Sequence, residues 1–348
     1  MDAPVSPSCA TASSSPEPGA VHHQKYDRAK HSVLGQDPPA HTRMRRIINK
    51  WFTPKTARTW VELTRSTVEN NLDALGPSGE IEAVRNLSIV PTQTSMSRIL
   101  DIPVGDIDEI KFHGYNIMRC LALGFDEEDF RIATESMRWC QQLARNLITY
   151  KRANPGTGLA DDFVGALDRG ELTEAEVVGN LILFVQVGHL DVNHLISNGL
   201  RLMIEHPDVY EAYRMDPAVR PQIINEIVRF DPPELSATRI ALDDLEVAGT
   251  AIPAGSYVMM SLASANRDET VFPDAGTFDY TRPVAASQHL SFGAGVHGCA
   301  GQALARAEAE AIFSAVASRY SRLEAAGDPM IRHTTFLRYI DSLPIRLS

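Results

Sequence analysis

Apolar residues recur at helical spacing over most of the chain, which predicts a mainly helical fold. The segment DPPAHTRMRRIINKWFTPKTA opens with two prolines, which suit a helix entrance, and then keeps this spacing. Further long helices are predicted over five stretches: Ala57–Ala74, Val104–Leu123, Asp126–Lys151, Glu174–Glu205 and Gln302–Tyr320.

The helix predicted at Glu174–Glu205 carries a clear start signal. Thr173 can cap it, and Glu176 follows three residues later, which is the pattern of a capping box. The helix then runs through LILFVQVG, an almost wholly apolar stretch. We therefore expect it to be buried on all sides.

The pattern changes after Asp231. The stretch RIALDDLEVAGTAIPAGSYVMMSL alternates apolar and polar residues and is broken by Gly and by Pro-Ala-Gly, which predicts short strands and turns. A strand pair is expected near Ile331–Leu347. The whole pattern predicts a mainly α fold with small antiparallel β-sheets. Residues 1–24, rich in Ser, Ala and Pro, are expected to be a disordered tail.

Composition narrows the class of protein. The 348 residues, 44% hydrophobic and 22% charged, suit a large globular domain. The net charge of −11 argues against a general preference for nucleic acid. No apolar run approaches the ~20 residues that span a bilayer, and no secretory signal begins the chain. Four widely spaced cysteines fit free thiols, so we expect a cytoplasmic protein without a membrane partner.

The most informative segment is HLSFGAGVHGCAGQALARAEAEA, residues 289–311. Gly293, Gly295 and Gly298 precede Cys299, and a good helix begins directly after Gly301. A cysteine just before a helix meets the positive end of the helix dipole, which favours its thiolate. A thiolate is a ligand for haem iron. Taken alone, such a cluster is more often a turn that contains a small buried cysteine.

The stretch FGAGVHGCAG resembles the haem-binding signature of cytochromes P450, F-x-x-G-x-x-x-C-x-G. Phe292, Gly295, Cys299 and Gly301 are in register with it. The resemblance implies a haem b cofactor with Cys299 as the axial ligand to iron, with Phe292 close to the sulfur and Gly301 beside it. His297 matches the position from which bacterial members contact a haem propionate.

A second family motif lies upstream. Glu226 and Arg229 in INEIVRF match the family's E-x-x-R, and this spacing puts both side chains on one helical face. The resemblance implies a buried structural ion pair that a second arginine joins. Arg282 in FDYTRP is the candidate for that arginine.

Further positions match the residues that hold the haem propionates in this family. Arg239 matches the propionate-binding arginine, and His41 and Arg45 in DPPAHTRMRR match its H-x-x-x-R pair. Buried carboxylates need paired charge, so several cationic or hydrogen-bonding side chains for two propionates are chemically sensible. Each alone is more simply a solvated side chain. Together, in the family's chain order, they indicate a haem site.

The long helix departs from the family. Its usual (A/G)-G-x-(D/E)-T supplies an acid and an alcohol that deliver protons. Aligned without a gap from Gly188, Leu190 takes the acid position and Asp191 the alcohol position; a local shift instead makes Asp191 the acid, followed by Val192. The candidate catalytic segment is therefore Gly188, Leu190 and Asp191. A buried Asp has a raised pKa, so Asp191 could relay protons, or it could satisfy a helix carbonyl through water.

The front of the chain departs as well. The resemblance covers residues from about 30 to 348 and lacks the usual N-terminal sheet portion. We expect residues 25–348 to form an N-terminally shortened cytochrome P450 haem domain. A natural short form and a misassigned gene start both explain this.

By family position, the distal pocket is lined from the long helix and from the strand region by Leu183, Gln186, Val187, Leu235, Ser236 and Ala237. These residues are mostly small or apolar, so we expect a small or medium hydrophobic substrate with few polar contacts.

The expected function is a monooxygenase of secondary metabolism that uses O₂ and electrons from a separate ferredoxin and reductase. Arg45, Arg46 and Lys50 could meet an acidic redox partner, and a solvated basic helix face explains them equally well. A peroxide-driven or otherwise atypical P450, such as a coupling or cyclising enzyme, is one alternative. A non-catalytic P450-like partner protein is another.

Overall fold

Helices dominate the computed structural model, which describes residues 5–6, 30–121, 124–283 and 288–348. Among these residues the α-helices are α1 (Ala40–Asn49), α2 (Pro54–Leu75), α3 (Val90–Leu100), α4 (Ile107–Met118), α5 (Glu127–Ala153), α6 (Leu159–Asp168), α7 (Glu174–Glu205), α8 (Pro207–Met215), α9 (Arg220–Phe230), α10 (Leu262–Ala265) and α11 (Gln302–Arg319). A π-helical stretch, Val84–Ile89, leads into α3.

The strands are short and pair in the antiparallel sense. They are β1 (Val5–Ser6), β2 (Gly79–Glu82), β3 (Ser236–Ala241), β4 (Leu245–Val247), β5 (Thr250–Ile252), β6 (Tyr257–Ser261), β7 (Leu323–Ala325), β8 (Met330–His333), β9 (Arg338–Ser342) and β10 (Pro344–Leu347). Two sheets have the strand orders β1-β3-β6 and β2-β10-β7, and β4-β5 and β8-β9 are hairpins. The predicted combination of many helices with small antiparallel sheets is confirmed.

The predicted long helices correspond to α2, α4, α5, α7 and α11, and the bounds predicted for α7 coincide with those observed. Thr173 caps α7: its Oγ1 accepts from the Glu176 amide at 3.3 Å, and its own amide donates to the Glu176 carboxylate at 2.8 Å. Helix α4 begins later than predicted because Asp106 caps it, accepting from the amides of Asp108 and Glu109. Helices α3 and α6 were not predicted.

The prediction of a disordered tail falls mostly outside the described residues. Of residues 1–24, only Val5–Ser6 is described, and it pairs with the outer edge of β3. Residues 25–29 of the predicted haem domain also lie outside the described part of the chain.

Helix α7 organises the core. Its N-terminal half packs with α1, α3 and α6 in one apolar cluster, and its C-terminal half packs with α9 and α11 in another. Gly199 lets α11 come close, because a Cβ there would collide with the ring of Phe313. By length and composition α7 could cross a membrane, but more than half of that apolar window is buried inside the protein, as in the core helix of a globular domain.

The expectation that α7 is buried on all sides is wrong for one stripe. Leu183, Val187 and Asp191 are only partly buried, although their neighbours Phe184, Leu190 and others are buried. Their spacing of four residues places them on one face of the helix. This face of α7, called the open stripe below, is therefore not fully covered by the rest of the described protein.

The candidate ion pair is the best-satisfied polar cluster in the core. The guanidinium of Arg229, which has no exposed surface, donates from Nε and Nη2 to the Glu226 carboxylate at 2.7 Å each. Arg282 Nε reaches the same carboxylate at 3.4 Å. The other Arg229 N–H groups donate to the carbonyls of Asn266, Ala275 and Thr277. The hydrogen bonds of this one side chain connect α9 to the segment that follows α10.

Replacing Arg229 with Met should cost about 3–5 kcal/mol of unfolding free energy, because it leaves the Glu226 carboxylate buried without its partner. Urea unfolding measures this loss. The control is Arg131→Met on α5, whose guanidinium also bonds two carboxylates, those of Glu128 and Glu135, but at the surface. Equal losses in the two variants would contradict a structural role for the buried pair.

The buried carboxyl of Glu308 predicts a pH dependence of stability. It lies on α11, accepts a hydrogen bond from Thr64 Oγ1 at 2.9 Å, and desolvation raises its pKa to about 7. The folded protein therefore holds a proton that the unfolded chain, with a Glu pKa of about 4.3, has lost. Stability from this group is present below that lower pKa and is lost as the pH rises to about 7.

In the Glu308→Gln variant, the fall of unfolding free energy between about pH 4.5 and 7 should be shallower than in the wild type. Urea titrations at several pH values measure the slope. Glu310→Gln, at an exposed position on the same helix, should behave as the wild type. An unchanged slope in Glu308→Gln would exclude this carboxyl as the source.

Candidate cofactor site and distal pocket

The loop before α11 presents Cys299 through its backbone. The Cys299 amide donates to the Phe292 carbonyl at 2.8 Å, and the Gly298 amide to the Gly295 carbonyl at 3.0 Å. Gly293 and Gly295 have φ of 67° and 70°, a left-handed conformation that favours glycine. The glycines of the motif thus fold the chain back so that the cysteine stands directly before a helix start.

Cys299 is an exposed residue, yet the protein atoms around its thiol still remove part of the thiol's hydration. Desolvation raises the pKa of this thiol to about 11, and the carboxylates of Asp191 and Glu234 add to the rise. The Gly301 amide and Arg45 act in the opposite direction. The amide before the helix start thus favours the thiolate, but in the protein alone desolvation and the two carboxylates outweigh it. A bound cation such as a metal ion would shift the balance to the thiolate.

Four predicted cofactor residues converge beside this loop from three elements. The rings of His41 on α1 and His297 lie 4.5 Å apart between centroids. Arg45 Nη2 donates to the carbonyl of Gly298 at 2.5 Å. Desolvation lowers the pKa of His297, and the proximity of His41 and of Arg239 on β3 lowers it further. The site is therefore a cluster of positive or hydrogen-bonding groups.

Unsatisfied nitrogen atoms mark this cluster as a place for an anion. His41 is buried, and among the described residues neither of its ring nitrogens has a hydrogen-bond partner. Nε2 of His297 also lacks one and lies 3.7 Å from the Asp37 carboxylate. Arg239 donates to the Thr238 carbonyl at 2.7 Å and keeps further N–H groups. Because unsatisfied buried donors are costly, these residues fit the carboxylates of a haem.

The remaining signature residues shape the surroundings of the sulfur. Phe292 is half-buried, and the Arg306 guanidinium lies over its ring, 4.4 Å from the centroid. A Cβ on Gly301 would come within 3.9 Å of the Cys299 sulfur. The glycine thus leaves the space beside the sulfur free of a side chain.

On α7, two predicted site residues face away from the open stripe. A Cβ on Gly114 of α4 would collide with Gln186 and lie 3.3 Å from Leu190, so both side chains pack against α4. Gln186 Nε2 also donates to the Cys140 sulfur of α5 at 3.1 Å. This placement argues against Gln186 as a pocket residue and against Leu190 as a catalytic one. Helical spacing alone could not show which neighbour covers which face.

Gly188 is explained by packing. A Cβ there would lie 2.8 Å from Cε of Met96 on α3, so the glycine allows α3 to approach α7. Of the three residues predicted to be catalytic, Asp191 alone has a titratable side chain on the open stripe. Desolvation raises the pKa of its carboxyl to about 7.

The predicted pocket residues on β3 lie on both faces of the strand. Successive side chains alternate between its two faces, so Ala237 and Arg239 share one face and Ser236 takes the other. Ser236 is buried and its hydroxyl donates to the Thr335 carbonyl at 3.2 Å, which directs it away from the Arg239 side. Leu235, just before the strand, is half-buried.

Glu234 was not among the residues predicted for the site. This residue precedes β3 and forms an isolated antiparallel bridge with Leu337. Desolvation raises the pKa of its carboxyl well above the usual value, and the charge of Asp191 raises it further. Its charge also acts on the Cys299 thiol. In the sequence, the sign of a role in the site is that Glu234 lies directly before a strand that was predicted to line the pocket.

Two of the three basic side chains on α1 or directly after it that were predicted to meet a redox partner make contacts within the protein. Arg45 turns towards the cysteine loop, and Lys50 pairs with the Asp162 carboxylate at 2.9 Å. Arg46 is exposed.

Comparisons with known proteins identify the family. A family model described as Cytochrome P450 matches residues 218–342. The chain is 32% identical over 322 residues to a putative cytochrome P450 140 of Mycobacterium tuberculosis, covering 91% of this chain and 73% of the relative. It is 31% identical over 321 residues to 6-deoxyerythronolide B hydroxylase of Saccharopolyspora erythraea, covering 89% and 76%.

Solved structures show the same fold. CYP164A2 of Mycobacterium smegmatis in its ligand-free state superposes with a TM-score of 0.85 at 30% identity, covering 93% of this chain and 83% of that chain. CxnD, a cytochrome P450 for C–S bond formation in chuangxinmycin biosynthesis, gives 0.86 at 28% identity, with 98% and 83% covered. The predicted fold is thereby confirmed, and the chain belongs to the cytochrome P450 family of oxidoreductases.

Proposed function

We propose that this P450 holds haem b through Cys299 and is a monooxygenase that oxidises a small or medium hydrophobic metabolite. The observation that carries the proposal is the set of buried, unsatisfied imidazole nitrogens of His41 and His297 beside a partly free cysteine sulfur. When bound, a thiolate-ligated haem activates O₂ so that one oxygen atom enters the substrate. The relatives named above include a hydroxylase, which supports this reaction class.

The protein's residues have separate tasks in this proposal. Cys299 is the iron ligand, and Phe292 and Gly301 shape its surroundings. The propionates are held by the four positive or hydrogen-bonding side chains of the cluster, His41, Arg45, Arg239 and His297. The donors are spread over α1, β3 and the loop, so the cofactor would fix three elements relative to one another.

The walls of the pocket would select for apolar substrates. Leu183 and Val187 are apolar and lie on the open stripe of α7, and Leu235 and Ala237 are half-buried on the β3 side. Few polar groups are needed to orient a hydrophobic ligand in such a site.

Asp191 takes the proton-handling task in this proposal. A general acid or base works best when its pKa lies near the working pH, and desolvation raises the pKa of Asp191 to about 7. It stands where the family's acid and alcohol are expected, so one carboxyl would both hold and pass a proton.

O₂ and electrons would come to the site as in other members of the family, with a separate ferredoxin and reductase as the electron source. Exposed Arg46 on α1 is close in sequence to Arg45, which contacts the cysteine loop, so an acidic partner could dock near the sulfur side. We place the protein in the cytoplasm and in secondary metabolism; the similar structure CxnD is described as acting in chuangxinmycin biosynthesis.

A peroxide-driven reaction is the second candidate, and Asp191 is the observation that favours it. A carboxylate near its pKa at the alcohol position can take a proton from hydrogen peroxide and return it to the departing oxygen as water forms. A non-catalytic partner protein would not need the unsatisfied cluster around Cys299 to persist.

Replacing Cys299 with Ala should abolish the long-wavelength Soret band of thiolate-ligated haem in the reduced, CO-bound spectrum, since the other described cysteines, Cys120 and Cys140, are buried. Cys140→Ala, a buried cysteine on α5, is the control and should keep the band. A wild-type protein without haem, or a Cys299→Ala variant with the band intact, would refute the haem assignment.

Replacing Asp191 with Asn should lower the product formed per electron consumed by about 10²-fold, because the amide cannot transfer the proton. Product and NADPH consumption are measured with ferredoxin and reductase, and product again with hydrogen peroxide alone. Asp208→Asn, exposed on α8, is the control. Wild-type turnover with peroxide that exceeds turnover with the reductase would favour the second candidate.

A further inference from the structure

We propose that Asp191 and Glu234 form an anionic subsite in the pocket beside Cys299, and that this subsite binds a positively charged nitrogen of the substrate. The inference rests on the proposed function and narrows its substrate class from hydrophobic molecules to apolar amines. It assigns a role to Glu234, which the proposed haem chemistry does not use.

One face of α7 turns Asp191 towards the segment that contains Glu234. Asp191, His194, Asn198 and Arg201 are spaced at i, i+3, i+7 and i+10, so they share a helical face. Asn198 Nδ2 donates to the Asp231 carbonyl at 3.2 Å, and Arg201 Nη2 pairs with the Asp231 carboxylate at 2.6 Å. This face therefore looks at the chain between α9 and β3.

A second set of contacts fixes the segment that contains Glu234. Glu234 is bridged to Leu337, and two residues later Tyr339 stacks on His194 with ring centroids 5.4 Å apart. The backbone that carries Glu234 is therefore clamped between β9 and the same face of α7 that carries Asp191. The two carboxyls project from rigid elements into one region, from which the charge of each also reaches the Cys299 sulfur.

No side chain of the described residues neutralises these carboxyls. Neither Asp191 nor Glu234 has a hydrogen bond or an ion pair there, and no cation shifts the pKa of either one. Arg201 and Arg338, the nearby arginines, are both paired with Asp231. Desolvated acids without a partner cost folding free energy, and such groups concentrate at functional sites.

The neighbouring imidazoles do not supply the positive charge either. Desolvation lowers the pKa of His189 to about 4 and that of His194 to about 3, so both are neutral at pH 7. Nε2 of His194 bonds the Tyr115 hydroxyl at 3.0 Å, while its buried Nδ1 has no partner among the described residues. This face of α7 thus has an unsatisfied imidazole nitrogen beside Asp191.

A protonated amine meets these demands better than other ligands. It offers charge-assisted hydrogen bonds to both carboxylates, which are stronger than bonds from a neutral donor. Its apolar part would contact Leu183, Val187 and Ala237 along the pocket wall. Desolvation favours the protonated form of both acids, and a cationic nitrogen would favour their ionised form, which neither an anionic ligand nor a neutral alcohol can do.

Binding of three matched probes to the haem-loaded protein tests the subsite. The probes are decylammonium, decan-1-ol and decanoate, each below its micelle concentration or solubility limit, and isothermal calorimetry reads binding without turnover. We expect the cation to bind at least ~10-fold more tightly than the alcohol, with decanoate weakest. Equal binding of the three probes to the wild type overturns the proposal.

Glu234→Gln and Asp191→Asn should each weaken the cation by about 10-fold and leave the alcohol unchanged. Glu246→Gln, exposed on β4, is the control and should bind all three probes as the wild type does. Cation binding that survives the double variant overturns the subsite. Because the carboxyls are unpaired, the double variant should also unfold at an equal or higher urea concentration, whereas a merely structural role would lower it.

The CO-bound spectrum of the same samples separates this proposal from the one on which it rests. A normal haem-thiolate spectrum without cation preference overturns the subsite alone. Cation preference without haem supports the subsite and overturns the haem assignment.

Discussion

The buried guanidinium of Arg229 is the constraint on which the site depends. Its five N–H groups meet five acceptors, two from Glu226 and three backbone carbonyls, which offsets the cost of removing a charge from water. One of these carbonyls belongs to Asn266, whose side chain accepts from the Leu290 amide and donates to Ser291. The arginine thereby orders the chain that enters the cysteine loop, and the position of the sulfur follows from it.

The surroundings of Arg229 and of Cys299 differ in how completely their buried polar groups are hydrogen-bonded. Around Arg229 every donor has an acceptor, whereas around Cys299 buried atoms of His41 and His297 have no partner among the described residues. Asp191 and Glu234 are likewise desolvated without a counter-charge. Other buried polar atoms among the described residues, such as Nε of Arg214 and both ring nitrogens of His189, also lack a hydrogen-bond partner. The four titratable side chains near Cys299 differ in lying together in one region, and in the proposed function their ligands come from outside the chain.

The sequence predicts the parts of this architecture that depend on local signals. The Thr173 cap and the apolar run gave the bounds of α7, and the glycine spacing gave the cysteine loop. Tertiary contacts decided the rest. Gln186 and Leu190 carry no sign that α4 covers their side of the helix, and the role of Glu234 depends on a bridge to Leu337 far along the chain. Periodicity shows that a helix has an apolar face, but it does not show which element packs against that face.

The acids and the sulfur also act on one another. Asp191 and Glu234 raise the pKa of the Cys299 thiol, so the same charges that would attract an amine oppose the thiolate. A positive charge seated between the carboxyls would screen them from the sulfur, as Arg45 and the Gly301 amide already do from the other side. Substrate binding and thiolate stability are therefore linked through electrostatics across one pocket: a cation near the acids favours the thiolate, and by reciprocity the thiolate without that cation raises the pKa of the acids.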